Sequence, residues 1–518
     1  MKMDHRAGRE QSSDLSKHHQ ELAIEMSSTY RQRPIGSEGF RYSLDAIESK
    51  INEKILPLLY TWMDGLSPKK TLFATFNKTQ IPEPYRKVID FLYTQGVIDR
   101  ITVEGERFND TPSFHRFALL GAYEQAVTDG KTDIKCYGFG FSKNRDEALS
   151  KVIGEFLERY PLTIYRKRDL YRSSLRALKE KSAVDIHLLA QFSDEQKMRQ
   201  PAFRWNDDST FFWEKITRIS SGKNHYIPAQ LVYWNYKSDN GEPYLRERNT
   251  NGCGGFFTKE GAILSGLYEL IQRDGFFIYW LNALTPPKVR PESVPDPMFQ
   301  QILEESKRYG FTVHCLNTTL DLSIPSFVVL IEDTYGQAGP YLALGGGCQA
   351  DPAKALTRAL VEAWTLYFWV RKYPTYTRPE TISAFETPGI GQRERIHLLA
   401  ERELKIKYEF LMNGAAKNLE DFKFDYPPAF SSETEELKHA VEIVERHGNG
   451  YEVYAFLKEH YLLSRLGYHT ARVVVPALIP LYLNEENAPL GAERIAGVPR
   501  KLGIPGPRKL NPWPHPFP

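Results

Sequence analysis

Two short stretches put carboxylates and an arginine one helical turn apart. In GEFLERY, Glu155 and Glu158 are three residues apart and Arg159 follows Glu155 by four. On a helix all three share one face. In YELIQRD, Glu269, Gln272 and Arg273 repeat the arrangement. A constant 114 residues separates each member of the first set from its counterpart. Ala148 and Ala262, seven residues before each leading glutamate, share that offset. The repetition predicts an internal duplication in which two related helices face one site. A third stretch, RALVEAW, puts Arg358 one turn before Glu362. Most such charged faces lie in solvent, held by pairs worth about a few tenths of a kcal/mol. Here the charges are interleaved with apolar residues that a core would bury. A carboxylate beside a buried face must be paired or must bind a cation.

Hard oxygen ligands clustered with arginines suit magnesium and a polyphosphate together. The chain has no G-x-x-x-x-G-K-[ST], so the site is not a P-loop. Instead GFGFS (Gly138 to Ser142) and NGCGG (Asn251 to Gly255) each precede an acidic helix. Their backbone amides are candidates to approach phosphate.

The elements that must position these groups are legible from about residue 112 onward. RDEALSKVIGEFLERYP, EGAILSGLYELIQRDGFFIYWLNAL and PAKALTRALVEAWTLYFWVRKY read as long helices. Tyr226 to Trp234, Ser326 to Thr334 and Ala471 to Tyr482 read as strands, giving an α+β core. The stretch from about 400 to 440 is charged and irregular, as a connector would be. Residues 1–45 form a polar arm with few core formers, the composition of a disordered segment. Over 46–110 the pattern is helix, turn, helix, ribbon. Ser67 is placed to cap a helix with Pro68 at its first position, and a second helix ends near Gly96 before VIDRITVEG. This is the outline of a small winged helix or of a helical cap on the next domain. Its second helix mixes Arg86 and Lys87 with Glu83 and Asp90, which gives no clean phosphate-binding face.

The 518 residues allow two or three domains, and the net charge of +2 argues against nucleic acid as a partner. The longest apolar window, GFFIYWLNAL, is too short to span a bilayer, so no membrane is expected. Cys136, Cys253, Cys315 and Cys348 are scattered, which argues against a disulfide scaffold and a tetrathiolate zinc site. With no secretory signal pattern, a cytoplasmic enzyme is expected. The tail NPWPHPFP alternates Pro512, Pro514, Pro516 and Pro518 with Trp513, His515 and Phe517. Proline fixes φ, so such a ladder is stiff enough to dock in one place.

EALSKVIGEFLERY, TNGCGGFFTKEGAILSGLYELIQRD, DPAKALTRALVEAW and the terminal PHPFP, in order over about residues 115–518, resemble the YcaO family. The proline tail is similar to that of its azoline-forming branch, the D-protein of thiazole/oxazole-modified peptide synthetases. The resemblance implies a YcaO-type ATP-binding core over 111–518, with the tail 512–518 at its end. It implies that Glu155, Glu158, Glu269 and Glu362 hold magnesium, and that Arg159, Asn251, Gln272, Arg273 and Arg358 hold ATP. Three departures stand out: Gln272 where the family usually has Glu, Lys151 where it often has Ser, and Gly261 where it often has Glu.

The implied reaction is ATP-dependent cyclodehydration of Cys, Ser or Thr in a ribosomally made precursor peptide to thiazoline or oxazoline. Phosphorylation of the amide oxygen turns a poor leaving group into a good one. The implied base is the α-carboxylate of Pro518, carried by a tail that Pro514 and Pro516 stiffen, with His515 ranked below it. The implied partners are a separate E1-like leader-peptide-binding protein, a flavin dehydrogenase and a second copy of the chain within a complex. Alternatives on the same core are thioamide or amidine formation, or a non-catalytic ATP-binding scaffold subunit.

Overall fold

Helical periodicity and the placement of glycine set the architecture. The computed structural model describes residues 83–95, 97–103, 110–121, 136–178, 182–239, 241–335, 339–372, 390–504 and 509–517. The chain divides into two compact units, Met1–Gly65 and Leu66–Pro518, and all of these residues belong to the second. The expected polar arm, and the first helix and Ser67–Pro68 cap of the expected winged helix, lie outside the described residues.

In chain order, α1 (Glu83–Thr94) leads through β1 (Ile98–Val103) and β2 (His115–Gly121) to β3 (Tyr137–Ser142) and α2 (Arg145–Arg159). Later come β4 (Cys253–Phe256) with α3 (Lys259–Leu281), and β5 (Leu342–Cys348) with α4 (Pro352–Lys372). Side-chain caps start the three long helices. Asn144 accepts the amides of Asp146 and Glu147, Thr258 that of Gly261, and Asp351 those of Ala353 and Lys354. They satisfy first-turn amides that have no partner inside the helix.

The strands form three sheets. One is antiparallel, in the order β1-β2-β3. The second runs Tyr171–Ser174, Thr210–Arg218, Tyr454–Lys458, His469–Val474, β4, with Asn224–Pro228 paired off Thr210–Arg218. The third runs β5, Ser326–Asp333, Phe311–Asn317, Lys288–Val289, Ala416–Lys417. Thus β3, β4 and β5 each stand at the end of a sheet's strand order among the described residues. The strand expected for the wing, β1, shares its sheet with β3. Ile89, Leu92 and Ile98 accordingly join one core with Phe117, Val152 and Phe156.

The helix following each end strand lies against it at a glycine. A Cβ built on Gly140 would fall inside the carbonyl oxygen of Ala148; Gly254 meets Ala262 and Gly347 meets Ala355 in the same way. The spacing is identical in all three: eight residues from glycine to alanine, then seven to Glu155, Glu269 or Glu362. The duplication expected from the sequence is therefore two thirds of a threefold pattern.

Two strands are shorter than expected. The one beginning near Tyr226 ends at Pro228, where a 3₁₀ turn, Ala229–Leu231, takes over. The last ends at Val474, just before Pro476. Proline cannot donate to a ladder, so sheet pairing stops there. The connector over 400–440 is mostly short turns, until Ser432 caps the helix Glu433–Glu445. No helix among the described residues is long and apolar enough to cross a membrane. All four cysteines are free and buried.

Candidate active site

Two of the end strands, β3 and β5, and the turn residue just before β4 each give one main-chain amide to a leading glutamate. Phe139 N donates to Glu155 at 2.5 Å, Gly252 N to Glu269 at 2.9 Å and Gly346 N to Glu362 at 2.9 Å. An end strand has amides with no neighbouring strand to take them; here a helix carboxylate takes one. Each amide engages one oxygen of its glutamate.

Arginines tie the set together. Arg159 Nη2 lies 2.6 Å from Glu155, one turn earlier on α2. Arg273 Nη2 reaches both Glu269 at 3.7 Å, on its own helix, and Glu362 at 3.5 Å, on α4. Arg273 thus bridges the second and third units. Its Nε and Nη1 are buried without a hydrogen-bond partner, as are Arg159 Nε, Gln272 Nε2 and Asn251 Nδ2. Donors left open around carboxylates describe a site prepared for an acceptor-rich ligand.

The electrostatics confirm that the carboxylates converge. Burial pushes the Glu158 carboxyl up to about 8, and the charge of Glu269 raises it next. Burial likewise raises Glu155, with Glu362 and Glu269 adding to the rise against the pull of Arg159 and the Phe139 amide. Like charges held together this way favour a proton or a cation between them. Among the described residues no three His, Cys, Asp or Glu side chains group closely enough to hold a metal alone. Magnesium usually takes one or two carboxylates and completes its shell with phosphate and water.

Arg358 is exposed at the rim, one turn before Glu362 on α4, and its charge is felt by Glu158 and Lys151. Lys151 pairs with Glu147 at 2.7 Å and donates to the Phe141 carbonyl. Burial lowers its ammonium, and the nearby Arg358 charge lowers it further. Gly261, the departure in α3, gives its amide to the Thr258 cap.

The tail enters the same site. Pro514 through Phe517 are all buried. Asn511 N donates to the Leu281 carbonyl at 2.7 Å, and Trp280 Nε1 donates to that of Trp513 at 3.2 Å, which docks the tail on the end of α3. His515 is fully buried, its Nε2 on the Tyr482 carbonyl at 2.8 Å and its Nδ1 accepting the Phe517 amide at 3.2 Å. Burial, and next the charge of Arg395, hold its imidazole well below the usual range. The Phe517 ring packs under Arg273, whose guanidinium carbon is 4.0 Å from the ring centroid. A Cβ on Gly346 would strike both Gln272 and that ring. Pro518 lies outside the described residues.

Sequence reasoning did not find the groups that hold the tail. Arg395, fully buried, grips the Phe517 carbonyl through Nε and Nη2 and the Leu483 carbonyl through Nη1. Glu485, also fully buried, accepts the His515 amide at 3.3 Å, and burial pushes its carboxyl up to about 8. The third unit had a signal, the glycine–alanine–glutamate spacing. Arg395, on the short helix Gln392–His397, and Glu485, at the start of the 3₁₀ turn Glu485–Asn487, are single charges without a repeating pattern and had none.

Solved structures share this fold. A solved heterocyclase in complex with substrate and cofactor is 21% identical, with a TM-score of 0.67 over 88% of this chain and 60% of that one. YcaO from Methanopyrus kandleri, bound with AMPPCP and Mg2+, is 16% identical, with a TM-score of 0.54 over 78% of this chain and 91% of that one. At these identities the likeness is one of fold. An "uncharacterized protein in tfuA 3′ region" of Rhizobium leguminosarum bv. trifolii is 28% identical over 159 residues, 29% of this chain and 37% of that protein. The match thus spans well under half of that relative. The family model described as YcaO cyclodehydratase, ATP- and Mg2+-binding, matches residues 139–479, a span that takes in all three glycine–alanine–glutamate units. This chain therefore belongs to the YcaO family of ATP-dependent cyclodehydratases.

Proposed function

We propose that this enzyme converts Cys, Ser or Thr residues of a ribosomally made precursor peptide into thiazoline or oxazoline rings. The observation that carries the reading is the tail. Pro514 to Phe517 are buried and end against Arg273, inside the carboxylate and arginine set. A proline ladder used only as a spacer would have no reason to be buried there.

Bound ATP supplies the phosphoryl group that makes the substrate amide oxygen a leaving group. Glu155, Glu158, Glu269 and Glu362 would hold magnesium; Arg159, Arg273 and Arg358 would neutralise phosphate, and Asn251 and Gln272 would orient it. Most of the rate enhancement comes from positioning and charge neutralisation, as in other phosphoryl transfers. A base must take protons from the attacking side chain and the amide nitrogen. Both ring nitrogens of His515 are already engaged, which favours His515 as a fastener and the end of the tail, at Pro518, as the base. The heterocyclase of similar fold is described as binding substrate and cofactor together. As partners we infer a separate E1-like protein that presents the precursor's leader and a second copy of the chain within that complex.

Mass spectrometry of precursor incubated with chain, partner and ATP tests the reading. Loss of one water per modified Cys, Ser or Thr is expected. Exchange of oxygen for sulfur would instead support thioamide formation. An unchanged mass with ATP still bound would reduce the chain to a scaffold.

A further inference from the structure

Buried Arg472 and half-buried Arg246 lie close together, and among the described residues neither is paired with a carboxylate. Arg472, on the strand His469–Val474, is 6% exposed. Its Nε donates to the Leu231 carbonyl at 3.0 Å, and its Nη1 to the Asn249 carbonyl at 2.8 Å and Cys253 Sγ at 3.2 Å. These acceptors are neutral. The Cys253 thiol, pushed up to about 12 by burial, keeps its proton. Arg246 is barer still: its Nε and Nη2 are sealed from solvent and neither has a hydrogen-bond partner. Burial, and then the charge of Arg472, push its guanidinium down to about 9. Isolated charge in a low-dielectric interior is costly unless something of opposite sign sits beside it.

Both arginines line one enclosed pocket with Asn249, Asn251, Leu270 and Val473. Asn251 is 3% exposed and its Nδ2 has no acceptor. Its Oδ1 accepts the Leu481 amide at 3.0 Å, which fixes the amide's orientation and makes Nδ2 the free end. The unpartnered polar atoms of these lining residues are all donors, and the rest of the wall is largely apolar. The glutamates whose fields reach this region, Glu158 and Glu269, act on Cys253. The room inside is about that of one water-sized sphere. A single small anion would displace the lining side chains least, and phosphate would displace them far more.

We propose that this pocket binds a single monatomic anion, chloride in the cell, between Arg246 and Arg472. The anion would also reach the active site's loop. Arg472 holds the Asn249 carbonyl, Asn249 Oδ1 accepts the Asn251 amide at 3.0 Å, and the next amide, Gly252 N, is the one given to Glu269. Neutralising the arginine pair therefore stiffens the loop that fixes one leading glutamate. The proposal is independent of which peptide ring the enzyme makes.

Thermal unfolding of the full chain at constant ionic strength tests it, with sodium gluconate exchanged stepwise for sodium chloride or bromide. A ligand that binds only the native state raises the midpoint saturably. Chloride and bromide are expected to raise the wild-type midpoint by several degrees. Arg246→Met, which removes a half-buried charge that no carboxylate pairs, is expected to match or exceed the wild type in gluconate and to ignore chloride. A wild-type midpoint indifferent to the exchange, or a variant that still responds, would overturn the proposal. Crystals of the wild type grown in bromide decide the matter should the variant not fold. An anomalous peak between Arg246 and Arg472 supports the site, and an ordered water there with no anomalous signal refutes it.

Discussion

Arg395 holds the main chain of Phe517 by two nitrogens, with Nη2 at 2.8 Å and Nε at 3.3 Å from one carbonyl oxygen. The side chain of the same phenylalanine lies 4.0 Å under Arg273. One arginine thus fixes the backbone of the tail while another, tied to Glu269 and Glu362, contacts its ring. The tail is positioned directly against the groups that would bind nucleotide.

Arg395→Lys should separate these roles. Lysine keeps the positive charge but not the two-pronged geometry. Ring formation is expected to fall by about 100-fold in kcat, the scale of a small misplacement at a reacting centre. Affinity for an ATP analogue should change little, because Arg395 touches only main-chain carbonyls. Equal losses in both measurements would mean the arginine merely supports the fold.

Deleting Pro514 to Pro518 should abolish ring formation while magnesium-dependent binding of an ATP analogue survives. Isothermal titration and precursor mass, measured on the same preparation, check this. Loss of nucleotide binding would show that the tail builds the nucleotide pocket rather than acting on the peptide.

Glu269→Gln should leave the empty protein as stable as wild type or more so. The amide oxygen can still accept the Gly252 N–H, and one repelling charge is gone from the set that includes Glu158. The rise in melting temperature produced by magnesium with a non-hydrolysable ATP analogue should largely disappear. A variant that melts early without ligand, yet keeps its full response to ligand, would contradict this.

Gly347→Ala should destabilise the protein by about 1–3 kcal/mol, the usual cost of overpacking. The new methyl group would meet the Ala355 carbonyl oxygen on α4, and backbone yields less readily than a side chain. Urea unfolding checks it, and a midpoint equal to wild type would show that strand and helix can part without cost.

Glu485 gives a pH signature. Its carboxyl is pushed up to about 8 by burial, against about 4.3 in an unfolded chain. Between those values the folded state binds more protons, so this group's contribution is present below about pH 4.3 and is lost as pH rises toward 8. Subtracting the unfolding free energy of Glu485→Gln from that of wild type should isolate a term that declines across this window. A flat difference would refute it.

The long helices were legible because their apolar spacing, caps and neighbouring glycines agree with one another. The first two units were legible as a repeat because Glu158, Arg159, Gln272 and Arg273 occupy matching positions. The third was not, because Thr365 and Leu366 stand where those residues would be; only the glycine, alanine and glutamate that touch the strand are kept. Strand lengths went wrong where Pro228 and Pro476 end pairing for a local reason that a run of apolar residues hides. Arg395, Glu247 and Glu485 were invisible because each acts on chain far away in sequence: Arg395 reaches Phe517 and Glu485 reaches His515. Glu247 takes the amide of Asn484.

Gathering one carboxylate from each of three helices, α2, α3 and α4, also has a temporal side. Glu155 and Glu362 are 207 residues apart, and contacts of such long range form late because loop closure must precede them. Phe517 then takes its place beneath Arg273 only after the residues from α2 through α4 have been synthesised. A chain made only as far as α3 holds Glu155 and Glu269 but neither Glu362 nor the Phe517 ring, so the charged set is assembled only when α4 and the tail join it.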